Sequence, residues 1–144
     1  MGLFEDVADH LDGYFGGAAR RMDPHNLFGP GRLEGDDAHD YLDAFSARFG
    51  IDLTGFQDYL HFDADEPPIH RRVWGVTPDG IRMDYIRIGL SDLVRAAEAG
   101  RWDMTYPAHR RIETGLLGLA GRGFVKTVLL AAGVLLVFWA LTLT

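Results

Sequence analysis

The sequence contains no cysteine, which excludes two kinds of site. Without thiols the chain can form neither a disulfide framework nor a thiolate metal site, and this composition fits a reducing compartment. Lysine is nearly absent as well, because thirteen of the fourteen cationic residues are arginine and Lys126 is the one lysine. Serine is scarce too, occurring only as Ser46 and Ser91.

Positive charge is scarce in the first half of the chain. Residues 1–70 hold fifteen acidic residues and four basic ones, whereas residues 109–126 hold four basic residues against Glu113. Phosphate binding requires clustered Lys and Arg, so the acidic half disfavours nucleic acid as a partner. We expect instead a protein partner with a basic surface.

Charged side chains are absent from Thr127 to the C-terminal end of the sequence. Residues 124–144 form an almost wholly apolar run in which Lys126 is the one charged side chain. As a helix of ~1.5 Å per residue, this run is about 30 Å long, the thickness of a hydrocarbon core. The sequence therefore predicts a single transmembrane helix at 124–144, and the alternative is a helix buried in an oligomer core.

Basic residues precede the apolar run, and none follows it. The positive-inside rule then places the N-terminal domain in the cytoplasm, and Trp139 would lie at the outer interface. We expect a single-pass protein of the inner (cytoplasmic) membrane. The first ten residues are acidic and lack the apolar core of a signal peptide. These basic residues are His109, Arg110, Arg111 and Arg122, together with Lys126 near the start of the run.

Apolar residues at helical spacing predict three helices, over 3–15, 36–49 and 91–99. The second is the clearest, with an aspartate N-cap at 36 or 37 and Gly50 as its C-terminal stop. Ser91 is the predicted N-cap of the third. The resulting domain division is a cytosolic domain at 1–103, a juxtamembrane linker at 104–123 and the membrane helix at 124–144.

Two apolar segments flank a turn signal between the second and third helices. Thr77-Pro78-Asp79-Gly80 separates residues 72–76 from residues 81–88, and Pro-Asp-Gly sequences favour tight turns. The pattern therefore predicts a β-hairpin over 72–88.

The acidic helix is entered from a Gly-rich loop and ends in Phe-Gly-Ile-Asp-Leu (49–53), and a later short helix follows Ile-Arg-Ile (86–88). Together these features resemble the acyl carrier protein fold. The blocks 33–56 and 90–102 are similar to an uncharacterised bacterial family of acyl-carrier-protein-like domains of unknown function. The fold class that this resemblance implies is mainly α: an acyl-carrier-protein-like small helical bundle with a β-hairpin insertion, followed by a single transmembrane helix.

The resemblance fails at the residue that makes a carrier active. Carrier proteins attach phosphopantetheine to a serine at the start of the acidic helix, and the matched position here is Gly35, or Asp37 after a two-residue slip. Neither side chain has a hydroxyl, so the resemblance implies a scaffold without a prosthetic group or other cofactor. Ser46 and Ser91 are the remaining candidates for an unrecognised attachment site.

The acidic helix carries a stripe of carboxylates opposite its apolar face. Asp36, Asp40 and Asp43 follow one another at i, i+4 and i+7, with Asp37 alongside. Like charges at this spacing cost about 0.2–0.5 kcal/mol per pair, so a sequence that keeps them can be using them to bind cations. We call these four residues the acidic stripe and expect it to be the partner-binding site, the alternative being a solvated face without a partner.

A second polar cluster suggests a different function. His61, Asp63, Asp65, Glu66 and His70 fall within ten residues, a composition that can bind a hard or borderline cation. The spacing matches no calcium loop and no helical histidine pair, so we expect no metal site and no catalytic residues. The sequence therefore predicts a membrane-tethered, carrier-protein-like docking or adaptor module that is not an enzyme and has no evident small-molecule substrate. The alternatives are a metal-dependent enzyme at the membrane surface using residues 61–70, or an acyl carrier.

Overall fold

The computed structural model describes residues 2–63 and 72–114, which contain three α-helices and one two-stranded antiparallel sheet. Short 3-10 turns at Ala18–Arg21 and Asp58–Leu60 lie in the connections. The helices are α1 (Leu3–Tyr14), α2 (Gly35–Phe49) and α3 (Leu90–Ala99), and the strands are β1 (Arg72–Val76) and β2 (Arg110–Thr114).

The three predicted helices are confirmed, each with one end displaced by a single residue. Gly50 and Gly100 end α2 and α3 with φ of 66° and 67°, the left-handed conformation in which glycine is favoured. The N-caps predicted for α2 and α3 are wrong. Helix α2 begins at Gly35 and α3 begins at Leu90, so the predicted caps lie inside the helices. Glu34 and Gly89 occupy the N-cap positions, and Asp92 accepts a hydrogen bond from the Gly89 N–H at 2.9 Å.

The core forms where the apolar faces of the helices meet the loops between them. Helix α1 packs against α3, and it also contacts α2 through aromatic rings, with the His10 and Tyr41 ring centroids 5.6 Å apart. Burial of these faces follows the periodicity that predicted the helices. The fully or almost fully buried helical residues are Val7, Leu11, Ala38, Tyr41, Leu42, Phe45, Leu93 and Ala96.

The loop before α2 is held against the start of α3 by main-chain hydrogen bonds. Leu27 N donates to Ile88 O, and Leu90 N donates to Pro24 O, both at 2.7 Å. Gly89 lies between these bonds, where an added Cβ would approach Pro24 O to 2.8 Å. Glycine is therefore required at this close approach of two backbones.

The predicted β-hairpin over 72–88 is wrong. The turn forms, with Gly80 N donating to Thr77 O, but the returning arm makes one bridge, Val76 to Arg82, and then leaves β1. Strand β1 pairs instead with β2 over five residues, in a register that places Trp74 opposite Ile112. Local turn chemistry favoured the hairpin, whereas the ladder that forms joins segments more than thirty residues apart in the chain.

The predicted fold class is therefore corrected. The described residues do not form a helical bundle with a local hairpin insertion, because three helices are combined with a long-range antiparallel ribbon. Strand β2 lies inside the range 104–123 that was predicted to be a linker. Within the described part of the chain, no helix has both the length and the apolarity to cross a membrane. The predicted membrane helix at 124–144 lies outside the described residues.

Candidate functional site

The acidic stripe lies on the outer face of α2. Asp36, Asp37, Asp40 and Asp43 are all exposed, while the residues between them on the opposite face are buried in the core. None of the four forms a salt bridge with another residue in the described ranges. Helix α2 thus presents four carboxylates to solvent, while its opposite face is packed in the core.

The surroundings of the stripe supply little positive charge. Arg48, the one cation of α2, lies with its guanidinium 5.1 Å from the centre of the Phe49 ring. His39 points to the other side, with Nδ1 2.9 Å from Gly35 O and Nε2 3.2 Å from an Asp58 carboxylate oxygen. Asp36 and Asp37 are in the first turn, where the positive end of the helix dipole stabilises them.

The position matched to the carrier serine is unsuited to any side chain. Gly35 is buried, has φ of 58°, and donates its N–H to Asp63 O at 3.0 Å. A residue with a Cβ in this left-handed conformation costs about 1–2 kcal/mol. Asp37, the other matched position, is exposed but carries a carboxylate. Neither position offers a hydroxyl for the arm.

The two serines have other surroundings. Ser46 donates its hydroxyl to Ile51 O at 2.6 Å and so helps to fix the chain just after α2. Ser91 is exposed in the first turn of α3 and is not the N-cap that the sequence predicted, since Gly89 occupies that position. The hydroxyl of Ser46 is therefore engaged within the domain, whereas Ser91 is exposed.

The polar cluster at 61–70 is only partly described. Asp63 is exposed, and the other acids and His70 lie outside the described residues. His61 is fully buried, and both of its ring nitrogens already have protein partners. No group of three or more possible metal ligands occurs within the described ranges. His61 is thus unsuited to act as a metal ligand in this conformation.

His61 belongs to a buried hydrogen-bond network, which we call the His61–Tyr106 network. Its Nδ1 lies 2.7 Å from Ile86 O and its Nε2 lies 2.9 Å from the Tyr106 hydroxyl. The Tyr106 oxygen also accepts hydrogen bonds from Trp102 Nε1 at 2.8 Å and from Gln57 N at 3.3 Å.

One assignment of protons satisfies every member of this network. A carbonyl only accepts, so Nδ1 of His61 carries the proton and Nε2 accepts from the Tyr106 O–H. Tyr106 then donates once and accepts twice. Burial lowers the pKa of His61 and raises the pKa of Tyr106, and both shifts favour the neutral forms that this assignment requires. With all its hydrogen bonds made, the network has a structural role.

Another hydrogen-bonded cluster, formed around Tyr59 and His109, lies beside the ribbon of β1 and β2. The Tyr59 hydroxyl is 2.6 Å from Gln57 Oε1 and 2.9 Å from His109 Nε2, and His109 Nδ1 donates to Pro107 O at 2.7 Å. Together with the His61–Tyr106 network, this cluster fixes residues 102–109 to the turn around residue 58. The predicted linker range therefore begins with residues that are integral to the folded domain.

The sequence held a signal for these contacts, although Pro107 and the glycines that follow it favoured a linker. Residues 102–109 include Trp102, Tyr106 and His109, and flexible linkers rarely carry so many rings capable of hydrogen bonding. Their partners lie about fifty residues earlier in the chain. Periodicity detects helices and strands, but it does not detect such pairwise contacts.

A small cleft of about 260 Å³ lies between α1, the turn at Ala18–Arg21 and the start of α3. Leu11, Met22 and Leu90 are among its apolar lining residues, and Asp12 and Arg20 form an ion pair of 2.9 Å there. Small-molecule sites are typically about 300–1,000 Å³. The cleft therefore does not displace the acidic stripe as the candidate site.

In comparisons with known proteins, no family model, curated protein or solved structure matches this chain. The resemblance to acyl-carrier-like domains accordingly stays a prediction. The case for function depends on the chemistry of this chain alone.

Proposed function

We propose that this protein is a non-enzymatic docking module, tethered to the cytoplasmic membrane through residues 124–144, that binds a basic protein partner through the acidic stripe. One observation carries the proposal: Asp36, Asp37, Asp40 and Asp43 are all exposed on one helix, without an ion pair in the described ranges.

The rigidity of the helix that carries the acidic stripe favours a binding function. Tyr41 and Phe45, on the opposite face of α2, are fully buried, so the helix has little freedom to rotate or fray. The end of α2 is further held by Ser46, whose hydroxyl donates to Ile51 O. Charges on a rigid element lose little conformational entropy when a partner binds, which raises the affinity that a given set of contacts yields.

The chemistry of the stripe favours a partner rich in arginine and lysine. Carboxylates and guanidinium groups form charge-assisted, often bidentate hydrogen bonds. Each exposed pair contributes only about 0.2–1 kcal/mol, so recognition depends on several pairs acting together. Such a surface mainly raises the rate of association and fixes the orientation of the complex.

We predict that the triple variant Asp36→Asn, Asp40→Asn, Asp43→Asn binds its partner at least about tenfold more weakly than the native chain, because three charge contacts are lost. The measurement is quantitative co-purification of crosslinked proteins with the full chain from native membranes. The native complex should also weaken as the Debye length shrinks from about 10 Å at 0.1 M salt to 3 Å at 1 M.

A matched control removes equal charge elsewhere. Glu5→Gln, Asp9→Asn and Asp23→Asn alter three exposed acids outside α2. This control should retain the same partner at native levels. If the stripe variant has a native circular dichroism spectrum and recovers the partner as well as the native chain does, the stripe is only a solvated face and the proposal is wrong.

A further inference from the structure

The ribbon formed by β1 and β2 has two different faces. On the inner face, an added Cβ at Gly75 would lie 2.6 Å from a Leu60 methyl carbon, so the backbone is in close contact with the body of the domain. Arg111, paired with Gly75, lies over the Tyr59 ring at 5.3 Å. This face is therefore covered by the domain around Gly75, while Arg111 and Glu113 at its edge remain exposed.

The outer face carries arginine and apolar side chains. Residues directly opposite one another in a ladder project to the same side, which groups the pairs Trp74–Ile112 and Val76–Arg110 with Arg72. Arg82 bridges to Val76 and places its guanidinium 5.4 Å from the centre of the Trp74 ring. All three arginines are exposed, Trp74 and Ile112 are half-buried, and Val76 is buried.

The β1–β2 register places no acidic residue on this outer face, although the exposed Asp84 follows Arg82 by two residues. Glu113 lies opposite Val73, on the same side as Arg111, and contacts the Arg111 guanidinium at 3.5 Å. Asp79 lies in the turn beyond the paired residues. The outer face thus combines three positive charges with one aromatic and two aliphatic side chains, of which Val76 is buried. Residues 2–63, in contrast, hold thirteen acids and four bases.

We propose that this outer face binds the headgroups of an anionic lipid bilayer. The proposal builds on the proposed membrane tether. Arginine attracts anionic lipid, and the amphipathic ring of tryptophan favours the headgroup level. Residue 124, the first of the apolar run, is ten residues beyond Thr114 and so at most about 36 Å from the end of β2. Insertion of the run would keep the ribbon close to the bilayer, with the acidic residues of the first half repelled from it.

Absence of native cysteine permits a site-specific test on the full chain. Ile81, next to Arg82 and 66 % exposed, is replaced by cysteine and labelled with an environment-sensitive fluorophore. The same label at Ala47, exposed on α2, serves as the control. The chain is reconstituted into phosphatidylcholine vesicles with or without about one third phosphatidylglycerol.

Anionic lipid should shift the emission at position 81 to the blue and raise its intensity at least twofold, and about 1 M salt should reverse the change. Position 47 should not respond. Arg72→Gln, Arg82→Gln, Arg110→Gln should abolish the response, whereas the equally charged control Arg21→Gln, Arg32→Gln, Arg101→Gln should retain it.

The outcomes separate the ribbon from the tether. An inserted chain whose position 81 ignores anionic lipid overturns the ribbon proposal and leaves the tether intact. A chain that does not float with neutral vesicles contradicts the tether. The ribbon proposal is then tested separately, because it predicts that anionic vesicles bind the chain at least tenfold better than neutral vesicles do. Position 81 could also respond in neutral vesicles and lose that response in the triple Asp→Asn variant of the acidic stripe. The ribbon would then contact the acidic stripe of a second copy, and the lipid proposal would be wrong.

Discussion

Two tyrosines, the buried Tyr41 and the half-buried Tyr106, differ in how their hydroxyl groups are hydrogen-bonded. Tyr106 donates to His61 and accepts from Trp102 and Gln57. Tyr41 is completely buried, and its hydroxyl has no hydrogen-bond partner among the described residues. One tyrosine contributes mainly through its hydroxyl, and the other contributes through its ring.

The difference reflects what each region has to join. Tyr106 connects chain segments about fifty residues apart through directional bonds. Tyr41 fills space between helices, where its ring meets those of Tyr14 at 5.3 Å and Phe15 at 5.5 Å. Aromatic rings stabilise such a region by area and by edge-to-face geometry, without any need for the hydroxyl.

Replacement of Tyr106 should have the largest effect. In Tyr106→Phe, His61 loses its Nε2 partner, and the N–H groups of Trp102 and Gln57 lose their acceptor. Each buried polar group left unpaired costs about 1–3 kcal/mol, and Tyr106 is only half-buried, so we predict a loss of about 3 kcal/mol in the free energy of unfolding. Denaturant unfolding of the full chain in mild detergent measures it.

Tyr14→Phe provides a control at an exposed tyrosine and should change the stability little. A loss below about 1 kcal/mol for Tyr106→Phe would mean that water replaces the hydroxyl readily. The segment 102–109 would then be held mainly by apolar contacts, and the contrast with Tyr41 would disappear.

Acidification should have the next largest effect. Burial is the main cause of the lowered pKa of His61 and also of His10. Since the unfolded chain binds these protons more readily, stability should be complete above the ordinary histidine pKa of about 6.5 and should fall as the pH drops below it. We predict a loss of about 1 kcal/mol per pH unit between pH 6 and pH 5, a range in which carboxylates contribute little.

The tautomer of His61 offers a direct check on the same point. Nitrogen NMR shifts should show His61 neutral, with its proton on Nδ1, at pH 6. A charged His61 at pH 6 would contradict the proton assignment made for the network.

The contrast between the two tyrosines also explains which parts of the structure the sequence predicts. The α2 prediction succeeded because its signals are local: Ala38, Leu42 and Phe45 repeat at helical spacing, and Gly50 supplies the stop. The exposed position of the acidic stripe followed from the same periodicity. Whether the stripe binds a partner stays a prediction.

The region around Tyr106 was missed because its determinants are not local. Thr77-Pro78-Asp79-Gly80 formed its turn as predicted, but the pairing of Trp74 with Ile112 depended on contacts far along the chain. Pro107 and four glycines indicated a linker, and His61 was considered only as part of a polar cluster at 61–70 for which no metal site was expected. Only the folded structure shows that Ile86 and Tyr106 occupy both of its ring nitrogens.

Replacement of Tyr41 should have the smallest effect and provides the sharpest test of the contrast. In Tyr41→Phe, the ring and its packing remain, and a buried hydroxyl without a protein partner in the described ranges is removed. Burial raises the pKa of Tyr41, so ionisation gives the hydroxyl no role near neutral pH. Because an unpaired buried hydroxyl opposes folding, we predict that stability is unchanged or rises by up to about 1 kcal/mol.

The paired variants Tyr41→Phe and Tyr106→Phe make the same chemical change, so their difference isolates the hydrogen bonds. A loss above about 1 kcal/mol at Tyr41 would show that an internal water bonds its hydroxyl, as buried waters do for groups lacking protein partners. His10 would be its natural second partner, since its Nδ1 is also buried without one in the described ranges. The α1–α2 region would then depend on a polar network as the His61–Tyr106 region does.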